Sequence, residues 1–313
     1  HILARRQRQM CIRDSILMVK PTGFNYNAET AANNHFQHSN LNFSNKEIAE
    51  NAIREFDKMV ELLDIKGVNV KVVDPIGNKY NPDAVFPNNW FSIHQNGTKV
   101  LYPMFAKSRR TERNNEIFSF IEKELDFKIK TTVDLTSYEK DHLFLEGTGS
   151  MILDRVNKIA YAAISERTSP KVLKDFALKM NYQTVSFNSF HKNAAIYHTN
   201  VMMCLGEDFV LICLESIGNE KEKMQLLESF EHTNKELIEI SSNQIDNFAG
   251  NMLQIEGKDH NPLIMMSKAA FSSLEKHQLK TLESSGEIVF SSLSTIEKFG
   301  GGSARCMMAE LFI

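Results

Sequence analysis

Apolar positions along the chain follow two rhythms, helical and strand-like, and the pair returns five times. Between Ser44 and Lys66, the residues Ile48, Ala52, Phe56, Val60 and Leu63 keep helical spacing and predict one long amphipathic helix. Ser44 with Glu47 is a capping-box signature at its start, and Gly67 ends it. The short run VNVKVV predicts a strand, and after a loop FPNNWFSI is a second apolar run. The same order recurs downstream. A helix near 111–125 leads to TTVDL and then LEGTGSMIL. A helix capped by Ser169, with Pro170 at its first position, leads to TVSF and YHTNVMMCL. A helix near 220–230 leads to ELIEI and FAGNMLQI, and one near 268–283 to EIVFSS and GGSARCMMAEL. Each last segment sets a small or polar residue before an apolar strand: Asn89, Ser150, Asn200, Asn251 and Cys306, spaced by 61, 50, 51 and 55 residues.

The copies share pattern rather than identity. Periods near 50 residues belong to propellers and solenoids. The reading is therefore an α/β fold, a five-bladed α/β-propeller built from a helix–strand–loop–strand module. Closed into a ring, it would bring the five polar turns around one axis. The alternative is an ordinary α/β sheet. Residues 16–313 are read as one catalytic domain. Residues 1–15, HILARRQRQMCIRDS, show no period and are read as a non-native or disordered extension, Cys11 included.

Bulk properties narrow the class. A net charge of −3 and the lack of a long basic block argue against a nucleic-acid partner. No run of 18 apolar residues occurs, so no membrane span is expected. Cys204, Cys213 and Cys306, an odd set without CxxC, suggest reduced thiols and a cytoplasmic protein. There is no HExxH and no zinc-type Cys/His spacing, so no metal is expected. EGTGS does not complete G-x-G-x-x-G, since residue 152 is Ile, and GGGS lacks the P-loop Lys. No cofactor is expected either.

The chemistry gathers on the polar turns. A lone cysteine is usually an inert core residue. Cys306 differs, because three glycines precede it and Arg305 adjoins it, a setting that favours a nucleophilic thiolate. Cys204 and Cys213 lie in apolar runs and read as core. Among ten histidines, His198 occupies the matching turn position and is the general acid/base candidate, with His94, His142 and His191 weaker. Glu146, at the mouth of an apolar strand, is costly unless paired, and is read as orienting His198 or binding a substrate N–H.

Cysteine in GGGSARCM, histidine in HTN, glutamate in EGTGS and asparagine in FPNNW together resemble the amidinotransferase/arginine deiminase superfamily, most closely its citrulline-utilisation hydrolase branch. The resemblance implies a five-bladed propeller with Cys306 as nucleophile, His198 as acid/base and Glu146 as the carboxylate holding the reacting group and the histidine. Arginine deiminases have an aspartate in a Phe-x-Arg-Asp motif and another two residues after the histidine; Asn89 and Asn200 stand there instead. Asparagine carries no charge to meet a guanidinium, but its NH2 can donate to a carbonyl oxygen. That favours a neutral ureido substrate, L-citrulline, over arginine. The family also implies an arginine for the substrate carboxylate, from Arg109, Arg110 or Arg113, with Arg109 or Arg110 favoured. Asp83 is placed to receive the α-amino group. Trp90 and Phe91 are read as packing beneath the site, and Asn251 as structural. The expected partner is a small amino-acid substrate, and oligomeric state is left open, a homo-oligomer included. Arginine deiminase, methylarginine hydrolase and amidinotransferase activities are the alternatives within the class, and a non-catalytic binding scaffold the alternative outside it.

Overall fold

The computed structural model describes residues 15–39, 43–75 and 81–312. The N-terminal extension up to residue 14 lies outside the described residues, along with Cys11. Ser15, assigned to that extension by pattern, is the first residue of a strand.

Five three-stranded sheets share one design, a first strand antiparallel to a second, which runs parallel to a third. The chain begins with β1 (Ser15–Val19) and β2 (Asn69–Val73). Next come β3 (Phe91–Ile93), β4 (Thr98–Leu101) and β5 (Thr131–Asp134), then β6 (Ile152–Asp154), β7 (Ile159–Ala163) and β8 (Gln183–Phe187). A small hairpin follows, β9 (Phe190–His191) with β10 (Ala194–Ala195). The fourth sheet holds β11 (Met203–Leu205), β12 (Phe209–Ile212) and β13 (Glu236–Glu239), and the fifth β14 (Leu253–Glu256), β15 (Pro262–Ser267) and β16 (Glu287–Ser291). The last strand, β17 (Ala309–Leu311), returns to pair antiparallel with β1, Ser15 opposite Leu311, so one sheet is made from both ends of the described chain.

The fold is mixed α/β, as the periodicity predicts. The long helix is Asn45–Ile65, and both halves of the Ser44–Glu47 capping box form. Ile48, Ala52, Phe56, Met59 and Leu63 are its buried stripe. Helices Asn115–Glu124, Pro170–Met180 and Glu220–His232 each precede the third strand of their sheet. The helix expected near 268–283 is two, Lys268–Ser273 and Lys276–Ser285, because Leu274 leaves helical geometry. Ser169 holds the N-cap position of its helix without a side-chain capping bond.

The sequence module lacks one strand per sheet. The middle strands β7, β12 and nearly all of β15 are buried residue by residue, so they carry no alternation to mark them. The five polar residues each stand just before the first strand of a sheet, Asn89 before β3, Ser150 before β6, Asn200 before β11, Asn251 before β14 and Cys306 before β17. Neighbouring first strands touch, β17 with β3, β6 with β11 and β11 with β14. Trp90 and Phe91 pack into apolar core with Phe118. Among the described residues no helix is long and apolar enough to cross a membrane.

Candidate active site

The turns before β3, β11 and β17 meet at a cavity of about 280 Å³, and the turn before β6 backs its wall through Glu146, which bonds His198 and Arg167. Its wall includes Cys306, His198, Asn89, Asp83, Arg109 and Arg167. The turns are short helical pieces, Pro87–Asn89, Gly147–Ser150, Thr199–Val201 and Ala304–Met307. A short turn before a buried strand presents side chains to the cavity while the strand anchors the backbone in the core.

Glu146 is fully buried at the start of its turn. Its Oε1 accepts from the Phe105 N–H at 2.9 Å, and its Oε2 lies 2.8 Å from His198 Nε2 and 3.5 Å from Arg167 Nη1. Burial alone would push this carboxyl up, but Arg167, the His198 hydrogen bond and Arg109 outweigh it and hold Glu146 at about 2. An ionised carboxylate only accepts, so the proton between the two side chains sits on Nε2. Burial drives His198 down to about 4, with the Glu146 hydrogen bond and charge recovering part of the shift. The resting imidazole is thus neutral, with Nδ1 left as a base on the cavity side. Gly149 is required here by space, because an added Cβ would lie 2.4 Å from Asn89 Nδ2 and 2.8 Å from His198 Nδ1.

Cys306 is 4% exposed. Its sulfur receives two amide donors, Asn200 Nδ2 at 3.3 Å and Asn251 Nδ2 at 3.2 Å. Asn251 also donates to the Asn200 carbonyl and accepts from the Cys306 N–H. Asn251, read from sequence as a structural residue, therefore holds the thiol from two sides of its own amide. Arg305 does not adjoin the sulfur as expected. It turns away to donate to the Met308 carbonyl and to Glu310 at 2.5 Å. Of the three glycines, Gly301 adopts φ +62°, and a Cβ there would meet Asn34 at 2.5 Å. Tyr197 fixes the same turn by donating to the Gly301 carbonyl at 2.6 Å.

Asn89 is oriented by Arg109, whose Nη1 donates to Asn89 Oδ1 at 2.6 Å. A guanidinium cannot accept. The oxygen of the amide must face Arg109, so the NH2 is turned away from it, buried and without a protein partner. Arg109 itself is consumed elsewhere. It forms a bidentate pair with Glu112 at 2.9 Å and 2.9 Å and donates to the Phe86 carbonyl. Arg110 is not on the cavity wall; it donates to the Met104 and Phe105 carbonyls and pairs with Glu139, as Arg113 does. Asp83 lines the cavity. Its Oδ2 accepts from Asn27 and Thr30, its Oδ1 is buried without a partner, and burial raises its carboxyl.

Arg167 is the charged wall residue absent from the sequence reading. It donates to the Thr30 carbonyl and to Asn33, and its guanidinium lies 4.8 Å from the Tyr197 ring centroid. The repeat contains its signal, since Arg109 and Arg167 both lie in the loop after the second strand of a sheet. The other histidines sit apart. His94 bonds Ser92 and Arg155, His191 pairs with Asp246, and His142 ends the turn Thr136–Asp141. Among the described residues no group of three or more His, Cys, Asp or Glu side chains is arranged to hold a metal ion.

A family model described as N,N dimethylarginine dimethylhydrolase, eukaryotic, matches residues 20–313. Comparison with curated proteins gives no match. Among solved structures, apo ArgZ, an arginine dihydrolase from the ornithine–ammonia cycle in cyanobacteria, has a TM-score of 0.72 at 19% identity. That likeness covers 95% of this chain but only 40% of ArgZ, so the chain spans less than half of that relative. The N-terminal domain of ArgZ bound to product has a TM-score of 0.72 at 20% identity, covering 95% of this chain and 97% of the domain. A dimethylarginine dimethylaminohydrolase variant in adduct with S-methyl-L-thiocitrulline has a TM-score of 0.66 at 14% identity, covering 96% and 100%. At these identities the likeness shows the fold.

Proposed function

The chain belongs to the N,N dimethylarginine dimethylhydrolase family, within the amidinotransferase superfamily, and from that premise we propose that it hydrolyses L-citrulline to L-ornithine, ammonia and carbon dioxide. Membership makes it a hydrolase of non-peptide C–N bonds that works through a covalent cysteine intermediate. In the proposed reaction His198 Nδ1 takes the Cys306 thiol proton as the thiolate adds to the ureido carbon. His198 protonates the leaving nitrogen, the carbon stays bound to sulfur, and His198 then activates the water that releases it. One water is consumed, and the carbamate released gives ammonia and carbon dioxide. Glu146 keeps the imidazole oriented and stabilises its charged form. Asn200 and Asn251 aim donors at the sulfur, which carries charge when it attacks. Asp83 Oδ1 meets the substrate α-ammonium, and Arg109 is a positioning residue that acts through Asn89.

The observation that carries the choice of substrate is the orientation of Asn89. Its NH2 is fixed as an unpartnered buried donor beside His198. A ureido oxygen, or the oxyanion formed from it, can accept from that donor; a guanidinium, all donors, cannot. Parallel assays of ornithine from citrulline and of citrulline or ornithine from arginine test it. The expected preference for citrulline in kcat/KM is at least about tenfold, or ~1.4 kcal/mol. Faster turnover of arginine or dimethylarginine would overturn it. That second reading is favoured by the buried carboxylates Asp83 and Glu146 on and beside the cavity wall, which a guanidinium could use.

We also infer that the five sheets are the blades of a five-bladed propeller, closed by the pairing of β17 with β1, and that residues 16–313 form one domain. Supporting this are the shared strand order, the contacts between neighbouring first strands, and the convergence of three of the five turns on one cavity, with the Glu146 turn bonded behind its wall.

A further inference from the structure

The approach to Cys306 has few side chains of its own to hold it. Gly300, Gly301, Gly302, Ser303 and Ala304 lead into the turn, and of these five only Ser303 has a polar side chain. A glycine-rich stretch is costly in conformational entropy to fix. Yet the position of the sulfur is demanding. Its two amide donors stand at 3.3 Å and 3.2 Å. A shift of about 1 Å would lose them.

Ser303 is fully buried and bonds at two places. Its carbonyl accepts from the Cys306 N–H at 3.0 Å, and its hydroxyl donates to Glu297 Oε1 at 2.6 Å. Glu297 lies just upstream, in the helix Ser294–Gly300. Its own carbonyl accepts from the Gly301 N–H at 2.9 Å, where the chain turns left-handed. One residue therefore holds the approach at both ends, Gly301 by its backbone and Ser303 by its side chain.

The carboxyl of Glu297 is a costly way to fill this space. It is 7% exposed, and it bonds the hydroxyls of Ser303 and Ser267, the latter at the N-cap of the helix Lys268–Ser273. The charged group facing it is Glu55, of like sign, which is itself bonded to the Thr295 and Ile296 N–H groups. Burial raises the Glu297 carboxyl to about 7. An apolar residue of the same size would cost less here. It could not, however, accept from Ser303.

We propose that Glu297 is a positioning residue for the nucleophile: through Ser303 it fixes the glycine-rich turn that sets Cys306 against its two amide donors. The inference rests on the reading of Cys306 as nucleophile, whichever substrate it attacks. It does not rest on charge, because a neutral carboxyl and a carboxylate both offer an oxygen to the Ser303 hydroxyl.

Substitutions that keep the size of Glu297 separate holding the turn from filling the core. Glu297→Gln keeps the acceptor, and its kcat is expected within about threefold of wild type. Glu297→Met fills the space without an acceptor. Its Tm should equal or exceed that of wild type, because a buried carboxyl is gone. Its kcat should fall about tenfold or more, with KM within about threefold, on whichever of citrulline, arginine or dimethylarginine the wild type turns over. Iodoacetamide labelling of Cys306, read by peptide mass spectrometry, should slow with it. Ser303→Ala should match Glu297→Met, and the double variant should be no worse than either, since both remove one bond. Wild-type kcat or wild-type labelling in Glu297→Met would overturn the proposal, as would single losses that multiply in the double variant. A Glu297→Met chain that fails to fold where Glu297→Gln folds would make the residue structural and overturn it too. Near-normal turnover in Cys306→Ser would fell the nucleophile reading beneath the proposal, whereas an inactive Cys306→Ser beside a fully active Glu297→Met fells the proposal alone.

Discussion

Two histidines, His198 and His94, are buried to similar degrees, and burial pushes both below the ordinary imidazole range. Each carries its proton on Nε2 by the same logic. His198 Nε2 faces a carboxylate, and His94 Nδ1 faces a guanidinium that can only donate, leaving Nε2 to bond Ser92. They differ in what the other nitrogen meets and in the sign of the neighbouring charge. His94 Nδ1 is taken by Arg155, and the cations Arg155 and Lys158 oppose an imidazolium. His198 Nδ1 is left to the cavity, and Glu146 favours the imidazolium. Burial alone therefore does not make a proton carrier; a carboxylate behind the ring and an open nitrogen in front do.

The largest expected effect tests that difference directly. His198→Gln should lower kcat by about 10³-fold or more, as loss of a member of a catalytic unit does. His94→Gln should leave kcat within about threefold. Cys306→Ser belongs with the first group and should also remove the substrate-protected part of the labelling by iodoacetamide at neutral pH, leaving only what Cys11, Cys204 and Cys213 contribute. Comparable losses in the two histidine variants would break the comparison, and near-normal turnover in Cys306→Ser would remove the nucleophile. Full activity in a chelator is expected of all active forms.

Next in size is Glu146→Gln. A neutral amide keeps the shape but removes the charge that supports imidazolium, and its NH2 can force the other tautomer. A loss of about 10²-fold in kcat is expected, with KM changed less. An unchanged kcat would mean that the carboxylate only packs. A smaller effect is expected for Asn89→Asp with Asn200→Asp. Arg109 would hold one oxygen of the carboxylate introduced in place of Asn89 and leave the other toward the cavity, where it suits a guanidinium. The citrulline-to-arginine ratio in kcat/KM should fall by about tenfold or more. An unchanged ratio would count against the Asn89 argument even with citrulline as substrate.

Much of this contrast is legible in sequence, and the limits have physical causes. The five polar turns stand out because a small or polar residue before an apolar strand breaks a strong pattern, and three of those turns meet at the cavity while a fourth supplies Glu146 behind it. His198 is separable from His94 only by its place in the repeat. The partner that disqualifies His94, Arg155, comes from a different sheet, and no local spacing reports it. Arg109 and Arg110 look equivalent because they are adjacent, yet in their short helical turn one points into the core and the other outward. Asn251 reads as structural because its link to Cys306 spans 55 residues of chain. The middle strands β7, β12 and β15 escape a sequence reading because residues buried on both faces have no period, and β4, which does alternate, is only four residues long.

The smallest expected effect is on stability, and there the two histidines should behave alike. A histidine held below its ordinary value binds its proton in the unfolded chain before it does so in the folded one. Its contribution is present above pH 6.5 and is lost as pH falls toward the folded value, about 4 for His198. Between pH 7 and pH 5 this should cost the wild-type protein about 2 kcal/mol through His198, with His94 adding in the same direction. The window stays above the range in which Glu146 titrates, while Glu112 and Glu297, each raised to about 7 by burial, titrate inside it with the opposite sign, so the histidine share is read from the difference between wild type and variant. Denaturant unfolding at each pH measures the slope. His198→Gln and His94→Gln should each flatten it, although only the first abolishes turnover. A wild-type slope that neither variant reduces would mean that the two rings are charged in the folded protein, and with it would fall the assignment of His198 as a base at rest.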